Sequence, residues 1–204
     1  MIAPPPLRRM VDGWSRFWFT PQSSSVIALM RTLLGVTSFL WAVSILPDLR
    51  TFYFDDGLLP SPFYREHRIG LFQYYESDTA VVVVYIAMIV SSLSLAFGRW
   101  ARLGAPVLWI CTLSMHQEGV NVLNAGDGTL RIWTAYFALF ALFTPSRFLD
   151  APLLGERTPQ GRRWPLAPSW LIRIAQIQLT IIYPASIIAK LDGDTWREGT
   201  ARST

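Results

Sequence analysis

A single cysteine, Cys111, excludes an intrachain disulfide and any cysteine metal cluster. Lysine is as scarce: Lys190 stands alone against seventeen arginines. The two histidines, His67 and His116, have no carboxylates at metal-ligand spacing, so no metal site is expected. Charged residues make up only 16% of the chain, against about a quarter in soluble domains. That shortfall excludes an ordinary water-facing surface. No phosphate-cradling glycine loop, nucleophile elbow, internal repeat or low-complexity tract appears. The net charge of +4 is spread over loops, so no nucleic-acid partner is expected.

In place of charge the chain has long apolar runs. Its 204 residues are 51% hydrophobic, and its mean hydropathy is positive. Several runs approach the roughly 20 residues that cross a bilayer. The spans predicted are residues 25–46, 80–97, 105–116, 129–143 and 170–191. The expected fold is therefore all-α: a polytopic bundle of about five membrane-spanning helices in the cell membrane, with the lipid bilayer as its first partner. Nine tryptophans and fourteen prolines suit interfacial anchors and short connections.

Residues 1–24 form a separate N-terminal segment. Arg8, Arg9 and Arg16 alternate there with Trp14, Phe17, Trp18 and Phe19, as in a short helix lying on a membrane surface. Residues 25–204 form the transmembrane domain. Arg31 lies near the start of the first span, placed to snorkel toward headgroups or to face another helix. Pro47 is expected to end that span. Residues 98–104 read as a tight basic turn. Asp127 sits where the fourth span's N-cap belongs, with Arg131 four residues on and available to pair with it. Pro184 should weaken the last span by removing a hydrogen bond to the Thr180 carbonyl.

Charge fixes the expected orientation. With the N-terminus cytoplasmic, the inner connections hold nine arginines and three acids, and the outer ones six bases and eleven acids. All five connections then obey the positive-inside rule. Two polar clusters are expected to meet on the outer face, Asn121/Asn124/Asp127 and Lys190/Asp192/Asp194.

Lys190 is the candidate base. Unlike arginine, a lysine at a partly dry site can lose its proton. Paired with Asp192 and Asp194, it would instead be an ordinary helix-end cation. Asn124 and Asp127 are candidates for positioning substrate, and plain helix capping competes with that role. Gln176 and Gln178, two apart, point to different faces of their helix.

Asp56-Gly-Leu-Leu-Pro60, Asn121-x-x-Asn-x-Gly-Asp-x-x-Leu-Arg131, and Arg173-x-x-Gln-x-Gln-Leu followed by Ala189-Lys-Leu-Asp-Gly-Asp-x-Trp-x-x-Gly-Thr-Ala201 resemble the HTTM family. This is the horizontally transferred transmembrane domain, related to vitamin K-dependent gamma-carboxylase. The likeness runs from about residue 25 onward, and the last motif is the specific one. It implies a helix bundle whose functional face is extracytoplasmic. In the carboxylase branch a lysine in a setting like Ala189-Lys-Leu-Asp192 acts as base on reduced vitamin K, which implies Lys190 as base and a reduced quinone as cofactor. Asp192 and Trp196 belong to the same motif and are implied as substrate-binding with Asn124 and Asp127. The branch also uses a histidine in its Asn-rich motif; Asn124-Ala-Gly-Asp-Gly-Thr-Leu130 has none, and His116 lies eight residues earlier. Bacterial relatives continue past the Gly-Thr-Ala motif, so the chain is expected to be part of a longer protein.

Two functions follow. One is action on a quinone or a membrane-proximal peptide at an outward polar site, with an exported peptide or an extracytoplasmic domain as partner. The other is a non-enzymatic membrane partner for maturation of, or immunity to, an exported peptide, with the motifs only locking helices together.

Overall fold

The computed structural model describes residues 6–57, 69–75, 77–118, 124–150, 166–167 and 169–192. They are almost wholly helical. Helix α1 covers Pro6–Phe19, and a two-residue strand β1, Gln22–Ser23, precedes α2, Ser25–Ile45. A 3-10 turn, Leu46–Asp48, leads into α3, Leu49–Tyr53. Helices α4 (Asp78–Phe97), α5 (Ala101–Glu118) and α6 (Ala125–Phe143) follow, then the short α7 (Ser146–Leu149), the strand β2 (Leu166–Ala167) and α8 (Trp170–Asp192). The helical path from Ser25 to Tyr53, α4 and α8 are long and apolar enough to cross a membrane.

Several helix ends depart from the sequence reading. Pro47 does not end the first span. It sits in the first turn of the 3-10 segment, where its missing N–H would be unbonded anyway, and the helical path continues to Tyr53. The basic turn contracts to residues 98–100, because Ala101 already begins α5 with its N–H bonded to the Asp150 carboxylate at 2.9 Å. The cap of α6 is Asn124, and Asp127 is its N3 residue. Helix α8 runs through Pro184 without a break.

The chain divides into two compact units, Ser23–Ala167 and Met1–Gln22 with Pro168–Thr204. In the larger unit α2 packs on α4, α4 on α5 and α5 on α6, and α6 also meets α2. Small residues at these seams let the backbones close up, as membrane helices require. Gly35 is one such residue: a Cβ there would lie 2.7 Å from the Ser92 carbonyl oxygen and 2.9 Å from the Ala96 Cα.

Successive helices run antiparallel, so the larger unit has two ends. At the first end Arg31 is 1% exposed and faces its neighbours rather than the headgroups. Its Nη1 donates to the Leu149 carbonyl at 2.9 Å and its Nη2 to Thr32 Oγ1 at 3.3 Å. The guanidinium lies against Gly98, which ends α4 at φ +70°. Arg99 N–H bonds back to the Ser94 carbonyl at 3.0 Å and Gly98 N–H to that of Leu95 at 3.2 Å, completing a Schellman stop. The second end gathers α3, the start of α4, the end of α5 and the start of α6.

In the smaller unit α1 packs on the start of α8. Ser169 Oγ donates to the Trp18 carbonyl at 2.9 Å, and Arg173 Nε to that of Phe17 at 3.0 Å.

Candidate functional site

The second end of the larger unit carries most of the unusual chemistry. Its frame is made by backbone capture. Ser77 caps α4 by accepting from Ala80 N–H at 3.1 Å. Asp78, one residue on, accepts from Asp55 N–H at 3.0 Å, tying the chain after α3 to the start of α4. A 3-10 turn, Leu71–Gln73, is pinned to α5 by Leu71 N–H donating to Ser114 Oγ at 2.9 Å. Beyond this frame Arg50 and Asp56 form an exposed ion pair at 2.6 Å, and that hydrogen bond holds the Asp56 carboxyl below the usual carboxylate range.

Asn124 and Asp127 come together as a capping box. Asn124 Oδ1 accepts from Gly126 N–H at 2.7 Å and from Asp127 N–H at 3.2 Å. Asp127 Oδ2 in return accepts from Asn124 N–H at 2.8 Å. The box thus holds three backbone donors at the start of α6, of which Asp127 N–H also reaches the Asn124 carbonyl at 3.1 Å. The capping role of both residues is thus realised. The expected Asp127–Arg131 ion pair does not form among the described residues; the carboxylate is held by the cap instead. Asp127 is nonetheless only 7% exposed.

His116 lies on the last turns of α5 and has no exposed surface. Its ring meets Trp41 edge-on, with centroids 4.6 Å apart. Neither Nδ1 nor Nε2 has a hydrogen-bond partner among the described residues, and the buried Thr112 hydroxyl, one turn earlier on the same helix face, has none there either. The charges of Asp127 and Arg131 both reach the imidazole. Tyr53, at the end of α3, is buried within electrostatic reach of Asp127 and Glu118. A cavity of about 10 Å³ opens between Tyr53, Asp55, Phe72, Ser77, Asp78 and Glu118, the room taken by about one water molecule.

An imidazole with two unpartnered nitrogens is costly, because a buried donor or acceptor left unpaired forfeits about 1–3 kcal/mol. Chemically it offers one donor and one acceptor to a small polar group in a dry setting, within electrostatic reach of the Asp127 carboxylate. The sequence signals this for His116, a lone histidine at the end of an apolar run, and gives no hint of Tyr53. Among the described residues no three His, Cys, Asp or Glu side chains converge as a metal set would.

The remaining sequence candidates lie in the smaller unit. Lys190 is on the last turn of α8 and Asp192 is its final residue, and both are exposed. Trp196 lies outside the described residues, as do Asn121 and Asp194. No protein-family model matches the chain, and no curated protein or solved structure matches it either.

Proposed function

We propose that this chain is a multi-pass membrane protein of the HTTM and gamma-carboxylase-like kind that engages the polar head of a lipid-soluble quinone at its non-cytoplasmic end. The observation that carries the reading is His116: wholly buried, without a partner at either nitrogen among the described residues, and within electrostatic reach of Asp127. An ionisable group at such a depth in a membrane protein marks a working site by default, since an apolar residue would pack there at lower cost. A quinone carbonyl would accept from the imidazole N–H, and a quinol hydroxyl would donate to its other nitrogen. In this reading α5 and α6, 18 and 19 residues long, join α2, α4 and α8 as crossings, five in all with the N-terminus cytoplasmic. At about 1.5 Å per residue each is close to the hydrocarbon thickness of a bilayer. Lys190, Asp192 and Trp196 keep the roles the resemblance gives them, base and substrate contacts.

The test is quinone extraction from the purified full chain. The wild type is expected to carry an isoprenoid quinone, His116→Phe to lose it, and Lys190→Arg to keep it while losing turnover of the reduced form. Turnover retained by Lys190→Arg removes lysine as base, because arginine keeps the charge and cannot accept a proton. Absence of quinone from every preparation leaves the second reading, a non-enzymatic partner for an exported peptide. One observation favours that reading: Lys190 is exposed rather than enclosed in a site.

A further inference from the structure

Helix α1 has two faces and covers neither. At 100° per residue Met10, Val11, Trp14 and Phe17 fall within about a third of its circumference. Arg8, Arg9 and Arg16 fall on the opposite side, with Asp12 the one acid of the helix. The apolar face is bare: Met10 is 72% and Trp14 66% exposed. The arginines are exposed as well, and no carboxylate pairs with them among the described residues. In water alone such a face would be an aggregation site.

The end of α1 is fixed. Ser169 and Arg173, at the start of α8, hold the Trp18 and Phe17 carbonyls, and the Arg173 guanidinium lies 4.7 Å above the Phe17 ring. Helix α8 is long and apolar enough to cross a membrane. A helix tied to the first turn of such a span is held at headgroup depth. Trp18 packs edge-on between Trp14 and Phe17, at 5.6 and 5.3 Å, an aromatic cluster suited to that depth.

We infer that α1 is an in-plane anchor that docks on anionic phospholipid headgroups of the leaflet where α8 begins. Its aromatic face sinks toward the acyl chains, and Arg8, Arg9 and Arg16 lie along the phosphates. The charge complementarity selects the lipid. Zwitterionic headgroups carry no net charge for the arginines to neutralise, whereas an anionic surface gains about fivefold in binding per arginine. The cytoplasmic leaflet, where the charge distribution puts this segment, is the anionic one. The inference rests on membrane insertion of α8 and is independent of the polar site at His116.

The experiment uses the full chain with a nitroxide at Trp14→Cys in a Cys111→Ser background. It is reconstituted in vesicles of phosphatidylcholine alone or of equal parts phosphatidylcholine and phosphatidylglycerol. The expected result is a buried, oxygen-accessible nitroxide in the anionic vesicles and a larger water-accessible fraction in phosphatidylcholine. Arg8→Gln, Arg9→Gln and Arg16→Gln should each shift the docked-to-undocked ratio about fivefold toward undocked in the anionic vesicles only. Asp12→Asn should shift it the other way, and high salt should erase the difference. Equal depth in both lipids overturns the inference, as does a triple Arg→Gln variant that docks unchanged. Spin–spin broadening between labels would show a second copy on the apolar face and overturn it too. Flotation of the chain with the vesicles, which the spanning helices secure, separates these outcomes from failed insertion.

Discussion

Gly98 and Arg31 show how much one buried contact decides. At φ +70° an L side chain is strained, and a Cβ on Gly98 would overlap the Arg31 guanidinium. Gly98→Ala is therefore expected to lower stability by about 1–3 kcal/mol, read as a lower unfolding temperature in detergent. Adding Arg31→Met should return the steric part and leave the backbone part. Complete tolerance of Gly98→Ala would mean that α4 ends by some other geometry. The sequence shows Arg31 as an arginine in an apolar run and leaves two outcomes open, headgroup or neighbour. Its partner is a backbone carbonyl 118 residues away. Backbone acceptors leave no mark in a sequence, so nothing could have chosen between the two. Tyr53 is hidden as well: it is buried where α3 meets the start of α4 and the end of α5, a meeting that only the fold creates.

At the level of helices, length carried the reading and the ends did not follow. The long segments are apolar on every side, so a 3.6-residue stripe is faint and boundaries fall to local chemistry. Asp127 reads as the cap of a span beginning at 129, yet the Asn124–Asp127 box begins the helix at Ala125. Pro47 reads as a stop, yet its position in a new 3-10 turn removes the penalty. The capping box yields a paired prediction. Asn124→Ala should cost about 1 kcal/mol of stability, because Gly126 N–H loses its acceptor and Asp127 N–H keeps only the Asn124 carbonyl. Asp127→Asn keeps an oxygen for Asn124 N–H and should cost less, since only a helix-end charge of about 0.3–1 kcal/mol is lost. If the charge beside His116 matters for function, Asp127→Asn will lose quinone while melting close to wild type. Loss of quinone only in proportion to stability would assign Asp127 to capping alone. Thermal melts and extraction on the same preparations decide between them.

For the whole molecule the open quantity is how many helices cross. Among the described residues three pass on length and hydropathy alone, whereas α5 and α6 carry His116, Asp127 and Arg131 and fall short. Lys190 cannot settle the number. Removing α5 and α6 together leaves an odd count, so the end of α8 lies opposite the N-terminus either way. The junction between α5 and α6 does settle it, since it lies outside with five crossings and inside with three. The proposed topology takes the first outcome. The end of α5 and the start of α6 share their end of the larger unit with α3 and the start of α4, through Leu71–Ser114 and the Tyr53 and Asp127 neighbourhood. Helices of similar length, packed side by side with ends level, cross together or not at all. In a Cys111→Ser background, Tyr74→Cys and Glu118→Cys are therefore expected to react with a membrane-impermeant maleimide from outside intact cells. Arg99→Cys should react only after the membrane is opened. Labelling of Glu118→Cys from the cytosol alone would leave three crossings and place His116 on the wrong side for an outward site. Reversal of all three would keep the bundle and invert it, and the excess of arginine at the Arg99 end would then run against the positive-inside rule.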